Sequence, residues 1–400
     1  MTRFAPADLD QLRDTVAAAL SAEEPLEIVA GGSKRGLGRP LQSPHTLDLS
    51  RLAGIRDYAP SELVLTAAAA TPLAEIDRAL AASQQMLAFE PPDWDALYGL
   101  PAGDIGRRTL GGVLACNLSG PRRIKTGAAR DHFLGFRGVS GRGEIFKSGG
   151  KVVKNVTGYD LSKLMAGSYG TLAVLEEVTV KVLPRPEASC TVLLAGLAPA
   201  AAVQRLGEAL ASPYEVSGAA YLPAQAQSLA ALRLEGPPPS VAYRRERLLA
   251  ELAADCRSGV LEETESAGLW RAVRDAAPVA GRADRAVWRV SMAPSRGAEV
   301  AEAVSRSLDA QWYLDWGGGL LWAAVAEAED GGAAVIRAAL RGADGRGTGH
   351  ATLIKGSSGL RHAVPVFEPQ PMPLAALAAR VKVEFDPRHI LNRGRIVAEG

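Results

Sequence analysis

Between Pro91 and Tyr159 the chain shows little long periodicity, and glycines, prolines and polar residues dominate. Neither a helical nor an alternating hydrophobic repeat is sustained there. Compact domains rarely leave so much backbone irregular, because long loops bury little apolar surface; those that persist usually have a function. A fold that accepts this stretch is one whose loops hold something.

The flanking sequence is ordinary by comparison. Leu9, Leu12, Val16 and Leu20 share one face of a helix from Asp8 to about Leu20. A short strand, Leu26 to Ala30, runs directly into Gly31-Gly32-Ser33-Lys34-Arg35-Gly36, and Thr46 to Leu49 and Glu62 to Ala70 read as further strands. Thr71-Pro72 supplies an N-cap and a first-turn proline for a helix through Ala82. Leu172 to Leu183 is β-rich, and Pro184-Arg185-Pro186 stops it, marking a boundary. Beyond it, strands alternate with alanine-rich helices, Gly236 to Ser240 reads as a surface loop, and Arg244 to Asp255 as an exposed amphipathic helix with a solvated charged face. No long tandem repeat is present.

Three glycine clusters carry the chemistry. The Gly31–Gly36 loop follows a strand, where consecutive backbone N–H groups can converge on an anion. Ser33, Lys34 and Arg35 add donors, and a diphosphate is the natural guest, although a plain tight turn fits this loop equally well. The spacing of Gly31, Gly32, Gly36 and Gly38 is not that of a Rossmann fingerprint, and no Gly-Lys-Ser/Thr closes a Walker loop. The second cluster, Thr109 to Gly120, places Gly111 and Gly112 ahead of Cys116 and Asn117, suiting backbone pressed against a flat ligand or simply a glycine-rich helix start. The third runs from Lys151 to Leu161 and from Ala166 to Leu172, with Gly158 and then Gly170-Thr171 opening a strand.

Composition removes several classes. Lys and Arg total 45 against 44 Asp and Glu, which leaves no basic excess for nucleic acid. No apolar run approaches the roughly 20 residues of a membrane span, and no secretory signal opens the chain. Three scattered cysteines point to a reducing compartment and cannot supply a four-thiolate cluster. Five histidines with no His-x-His or His-x3-His pair predict no metal site.

In order and character, these segments resemble the FAD-binding domain of the vanillyl-alcohol oxidase / p-cresol methylhydroxylase family. The resemblance covers about residues 1–185, and Phe385 to Arg395 looks like the family's closing segment. It implies an α+β fold: a two-subdomain FAD-binding domain at 1–185, an antiparallel-sheet cap at 186–375, and a C-terminal return at 376–400. The implied cofactor contacts are Gly31, Gly32, Ser33, Lys34, Arg35, Gly36, Thr109, Gly111, Gly112, Cys116, Asn117, Gly127, Asp131, Gly158, Gly170, Thr171 and Asn392, with FAD bound non-covalently.

A narrower resemblance, to flavin subunits of bacterial glycolate oxidase complexes, rests on Val152 to Leu183, Trp312 to Gly319 and Gly349 to Leu353. It implies a related flavin subunit and an iron–sulfur subunit as partners, in the cytoplasm or peripherally at the inner membrane. Catalytic relatives carry a His-x-His pair that this chain lacks. His350 is the candidate base and Arg361 the candidate carboxylate cation, beside the reading of His350 as structural. Three classes stay open: an accessory flavin subunit, a stand-alone hydroxy-acid dehydrogenase, and a flavin-free scaffold. Trp312, Trp316 and Trp322 read as core or interface packing, and Arg107-Arg108 and Arg122-Arg123 as phosphate, partner or solvated charges.

Overall fold

In the computed structural model the described residues are 2–41, 43–100, 107–150, 158–224, 227–253, 256–342, 345 and 347–398. Lys151 to Thr157 and Asp255, which the sequence reading invoked, lie outside them.

Asp8 caps the first helix, Leu9–Ala22, by accepting from the Gln11 N–H, and turns Leu12, Val16 and Ala19 inward. Strand Leu26–Val29 pairs in parallel with His45–Asp48, which pairs with Thr2–Phe4. A second sheet of five antiparallel strands runs in the order 55–59, 64–68, 173–181, 133–140, 145–149. These two sheets leave a seam between them, and a two-stranded sheet pairs Gln85–Met86 with Leu183–Pro184. The expected Thr71 cap is not made. Its hydroxyl donates to the carbonyls of Ala68 (2.6 Å) and Gly54 (3.1 Å), so the helix Leu73–Ala82 begins one residue later with Pro72 at the N-cap.

The C-terminal region contains an eight-stranded antiparallel sheet that hides a duplication. Residues 188–261 form strand, helix, two strands, helix, strand, and residues 285–355 repeat that order. The two halves meet at strands Gly218–Leu222 and Ala310–Asp315, where Tyr221 pairs with Leu314. The repeat lies in element order rather than in matching residues, so the sequence did not display it. Helices of both halves cover one face of the sheet.

The other face meets the N-terminal region. Trp94 packs edge-on against Trp322 with centroids 5.5 Å apart, and Trp322 stacks on Tyr313 at 6.4 Å, within one core that also holds Phe89 and Trp270. Buried charge crosses the same junction. Arg233 Nη1 lies 2.8 Å from Glu90 Oε1, and Arg122 bonds Glu235 at 2.7 Å and Glu90 at 3.1 Å.

Two expectations for this region change. Gly236 ends a strand, Pro237 is an N-cap, and Pro238 and Pro239 start the helix Pro238–Leu252, so the segment is not a surface loop. First-turn prolines lose nothing by lacking an N–H that would have no helical acceptor. Arg244 is buried, donating to the carbonyls of Tyr214 and Glu235, so it belongs to no solvated face.

The chain ends on the first sheet. After helix Met372–Phe385, the Asp386 carboxylate accepts from Lys382 Nζ (2.6 Å) and from the N–H groups of Ile390 and Leu391. That turn lays Leu391 parallel to Leu26, and the Asn392 N–H donates to the Leu26 carbonyl.

Candidate cofactor site

An open cavity lies along the seam of the first and second sheets. The loop after strand Leu26–Val29 forms one wall, with Gly31, Gly32, Ser33, Lys34 and Arg35. The opposite wall is Thr109, Gly111, Gly112 and Cys116. Thr109 caps the short helix Leu110–Ala115, and the Gly111 N–H donates to the Ala69 carbonyl at 2.8 Å. A side chain at Gly111 would place its Cβ 2.6 Å from the Ala69 Cβ, so only glycine permits this approach. Gly170 and Asn392 close the floor. Asn392 accepts from the Ile28 N–H and donates to the Tyr169 carbonyl, both at 2.8 Å, joining the two sheets through one amide.

The charge at the site is positive. Lys34 donates to Ser33 Oγ at 2.8 Å, and among the described residues it has no ion-pair partner. Burial pushes its ammonium down to about 8. Arg35 instead pairs with the buried Glu27, which Arg395 also approaches at 3.6 Å. Arg395 lines the cavity while donating to the carbonyls of Arg35 and Leu37, which fixes the loop's shape. Burial pushes the Cys116 thiol up to about 11, so it stays protonated.

Not every residue assigned from the sequence reaches the cavity. Gly36 lies beside it, packed so closely on the Tyr98 ring that a Cβ would sit 2.7 Å away. Asn117, Gly127 and Asp131 form a brace instead: Asn117 accepts from the Arg130 N–H and Asp131 from the Ala128 N–H. Thr171 donates to the Ser168 carbonyl, and Gly158 is exposed. Arg107, read from the sequence as a phosphate, partner or solvated charge, lines the cavity, and Tyr169 and Arg395 line it without having been singled out. Arg395 does stand in the C-terminal motif, but only the fold shows that it returns to this loop.

The two catalytic candidates are not brought together. Arg361 donates through Nη1 to the carbonyls of Gly36 (2.9 Å) and Gly38 (3.1 Å), clamping the glycine loop. His350 is exposed on strand Gly349–Lys355, and the charges that act on it are Arg289, Arg123 and Glu368. Of the arginine pairs, Arg108 is held by Asp93 at 3.2 Å, and Arg122 belongs to the junction network.

Comparison with known proteins fits this geometry. An FAD binding domain family matches residues 3–149. The glycolate oxidase subunit GlcE of Escherichia coli K12 is 37% identical over 389 residues, covering 97% of each chain. The chain belongs to the GlcE family. Outside that family, the glycolate oxidase subunit GlcD of Bacillus subtilis is 39% identical over 105 residues, covering 26% of this chain and 21% of that one. Among solved structures, a 4-ethylphenol oxidase from Gulosibacter chungangensis superposes with a TM-score of 0.68 at 13% identity, covering 99% of this chain and 89% of that one. An alkyldihydroxyacetonephosphate synthase gives 0.66 at 15%, covering 98% and 76%. These two likenesses show the α+β fold.

FAD is the cofactor of this GlcE-family chain, and the cavity's residues fit it. An unpaired, desolvated ammonium on a glycine loop is what a diphosphate neutralises. The Gly111–Gly112 backbone, with no side chain between it and the cavity, suits the close approach of a flat ring.

Proposed function

We propose that this GlcE-family chain is the FAD-binding subunit of a glycolate oxidase complex, with an electron-transferring or structural role and little glycolate oxidation of its own. Its likeness to a glycolate oxidase subunit over 97% of both chains carries the proposal. A related flavin subunit of the D type and an iron–sulfur subunit are the partners, and the complex is cytoplasmic or held peripherally at the inner membrane. No helix among the described residues is long and apolar enough to cross a membrane.

Bound FAD supplies hydride acceptance and single-electron transfer. The chain's own residues bind and orient. Lys34 and the N–H groups of the Gly31–Arg35 loop hold the diphosphate, while Thr109, Gly111 and Gly112 form the wall for the ring. The protonated Cys116 thiol is no nucleophile, which makes the attachment dissociable. Hydroxy-acid oxidation also needs a base at the hydroxyl. His350 is this chain's single candidate from the sequence, and the His-x-His pair of catalytic relatives is missing.

The test compares dye-linked glycolate oxidation per flavin in the FAD-loaded isolated chain and in the reconstituted complex. Activity confined to the complex is expected. Equal turnover in both, abolished by His350→Ala, would replace this reading with a stand-alone dehydrogenase.

A further inference from the structure

Arg123 and Arg289 come from different regions of the chain and converge on one indole. The guanidinium carbon of Arg123 lies 4.3 Å from the Trp316 ring centroid and that of Arg289 lies 5.0 Å from it. Arg123 belongs to the short helix Arg123–Thr126 of the N-terminal region, and Arg289 to the sheet strand Arg285–Met292. Trp316 is buried and pinned by donating to the Gly120 carbonyl at 3.2 Å. Among the described residues, neither guanidinium has an ion pair or a hydrogen bond, and both lie against the Trp316 ring.

Two like charges gathered on one hydrophobic wall repel one another. Burial and Arg123 push the Arg289 guanidinium down to about 10, and burial with Arg130 lowers that of Arg123. Asp131 acts favourably on Arg123 and Asp315 on Arg289, but neither carboxylate bonds its arginine. Burial raises the Asp315 carboxyl to about 7, and Glu368 is engaged by Arg337 at 3.3 Å. Both arginines keep part of their surface exposed, so a solute can reach them. Tyr169 is shared between the two places: it lines the cofactor cavity, and its hydroxyl feels Arg289.

We infer that Arg123 and Arg289 form a binding site for the carboxylate of a small organic acid, enclosed by the Trp316 indole and adjoining Tyr169. A guanidinium fork matches a planar carboxylate, and the Trp316 indole holds two of them close to one another. Only the choice of glycolate as the acid rests on the proposed function, which places the chain in a glycolate oxidase complex.

Calorimetric titration of the FAD-loaded full-length chain tests the site, using glycolate, its neutral amide glycolamide, and inorganic phosphate. Saturable glycolate binding is expected, at least tenfold tighter than glycolamide and tighter than phosphate. Arg123→Met and Arg289→Met should each weaken glycolate at least tenfold, with Arg257→Met, on an exposed strand residue, unchanged. Arg123→Lys and Arg289→Lys keep the charge without the fork and should lie between; they also serve if a methionine variant fails to fold. Absent saturation, equal binding of the amide, phosphate binding as tight as glycolate, or unchanged affinity in the arginine variants would each overturn the site. Flavin content separates the two readings. A chain that binds glycolate but never FAD refutes the flavin-subunit role alone, and an FAD-loaded chain without glycolate binding refutes the carboxylate site alone.

Discussion

Arg122 and Arg123 are neighbours in the chain and opposites in their surroundings. Arg122 enters a closed set of two arginines and two glutamates, in which Glu90 and Glu235 each receive hydrogen bonds from a guanidinium. Both carboxyls are held below the usual range despite their burial, Glu235 at about 2, because Arg233 and Arg122 lie beside them. Arg123 meets a second arginine and an indole, and among the described residues no carboxylate bonds either guanidinium. The balanced set joins the regions at the cost of its own desolvation and needs nothing more. The unbalanced pair is tolerated only by staying partly in water, and a ligand anion would complete it. Complete charge satisfaction marks the structural junction, and incomplete satisfaction marks a place for something else.

Removing one member of the closed set should have the largest effect. Glu90→Leu leaves Arg122 and Arg233 facing each other and should destabilise the fold by about 3–5 kcal/mol, read from urea unfolding. A loss under 1 kcal/mol would erase the contrast between the two arginine sites. Lys34 extends the comparison to the cofactor cavity, where a cation again has no ion-pair partner among the described residues. Lys34→Met should weaken FAD by about 10- to 100-fold, roughly 1.4–2.8 kcal/mol, measured by flavin titration of the apoprotein. Unchanged affinity would mean that the diphosphate does not touch the ammonium.

The same lysine sets a pH dependence. FAD favours the charged ammonium, whose value in the free cavity is about 8. Affinity should therefore be full below pH 8 and fall by up to tenfold per unit as pH rises above it, until the bound state's own value is reached. Lys34→Met should flatten that slope, and a wild-type profile level to pH 10 would remove Lys34 from the phosphate. The smallest effect is expected at Arg123. Arg123→Met relieves repulsion with Arg289 while losing its contact with Trp316, so stability should change by less than about 1 kcal/mol. A loss as large as that of Glu90→Leu would show that Arg123 has a structural partner after all.

Much of the cofactor cavity was readable from the sequence because its walls are glycines, and glycine clusters declare close backbone approach. Gly111 illustrates this: the residue type itself reports that Ala69 lies against it. Asn392 was readable only by resemblance, since nothing local says that an amide near the chain's end will bond Ile28 and Tyr169. The braces Asn117, Gly127 and Asp131 were assigned to the cofactor by resemblance, and an Asn or Asp looks the same in sequence whether it faces a ligand or a turn. Arg361 shows the limit most clearly. An arginine clamping two loop carbonyls and one holding a substrate carboxylate have the same sequence, and only the partner distinguishes them. The duplicated sheet and the Arg123–Arg289 encounter were invisible because each depends on residues far apart in the chain.

Asn392 has a consequence for how the protein is made. The residue that ties the strand before the glycine loop to the turn ahead of strand 173–181 is synthesised 364 residues after Ile28, its partner beside that loop. During synthesis the N-terminal region can condense early, as leading segments generally do, yet its cavity lacks a floor until Asp386 has turned the tail back onto Leu26. Closure of the cofactor cavity thereby waits for the segment around Asn392. A chain interrupted before that residue has a loop shaped for FAD without the amide that closes the cavity's floor.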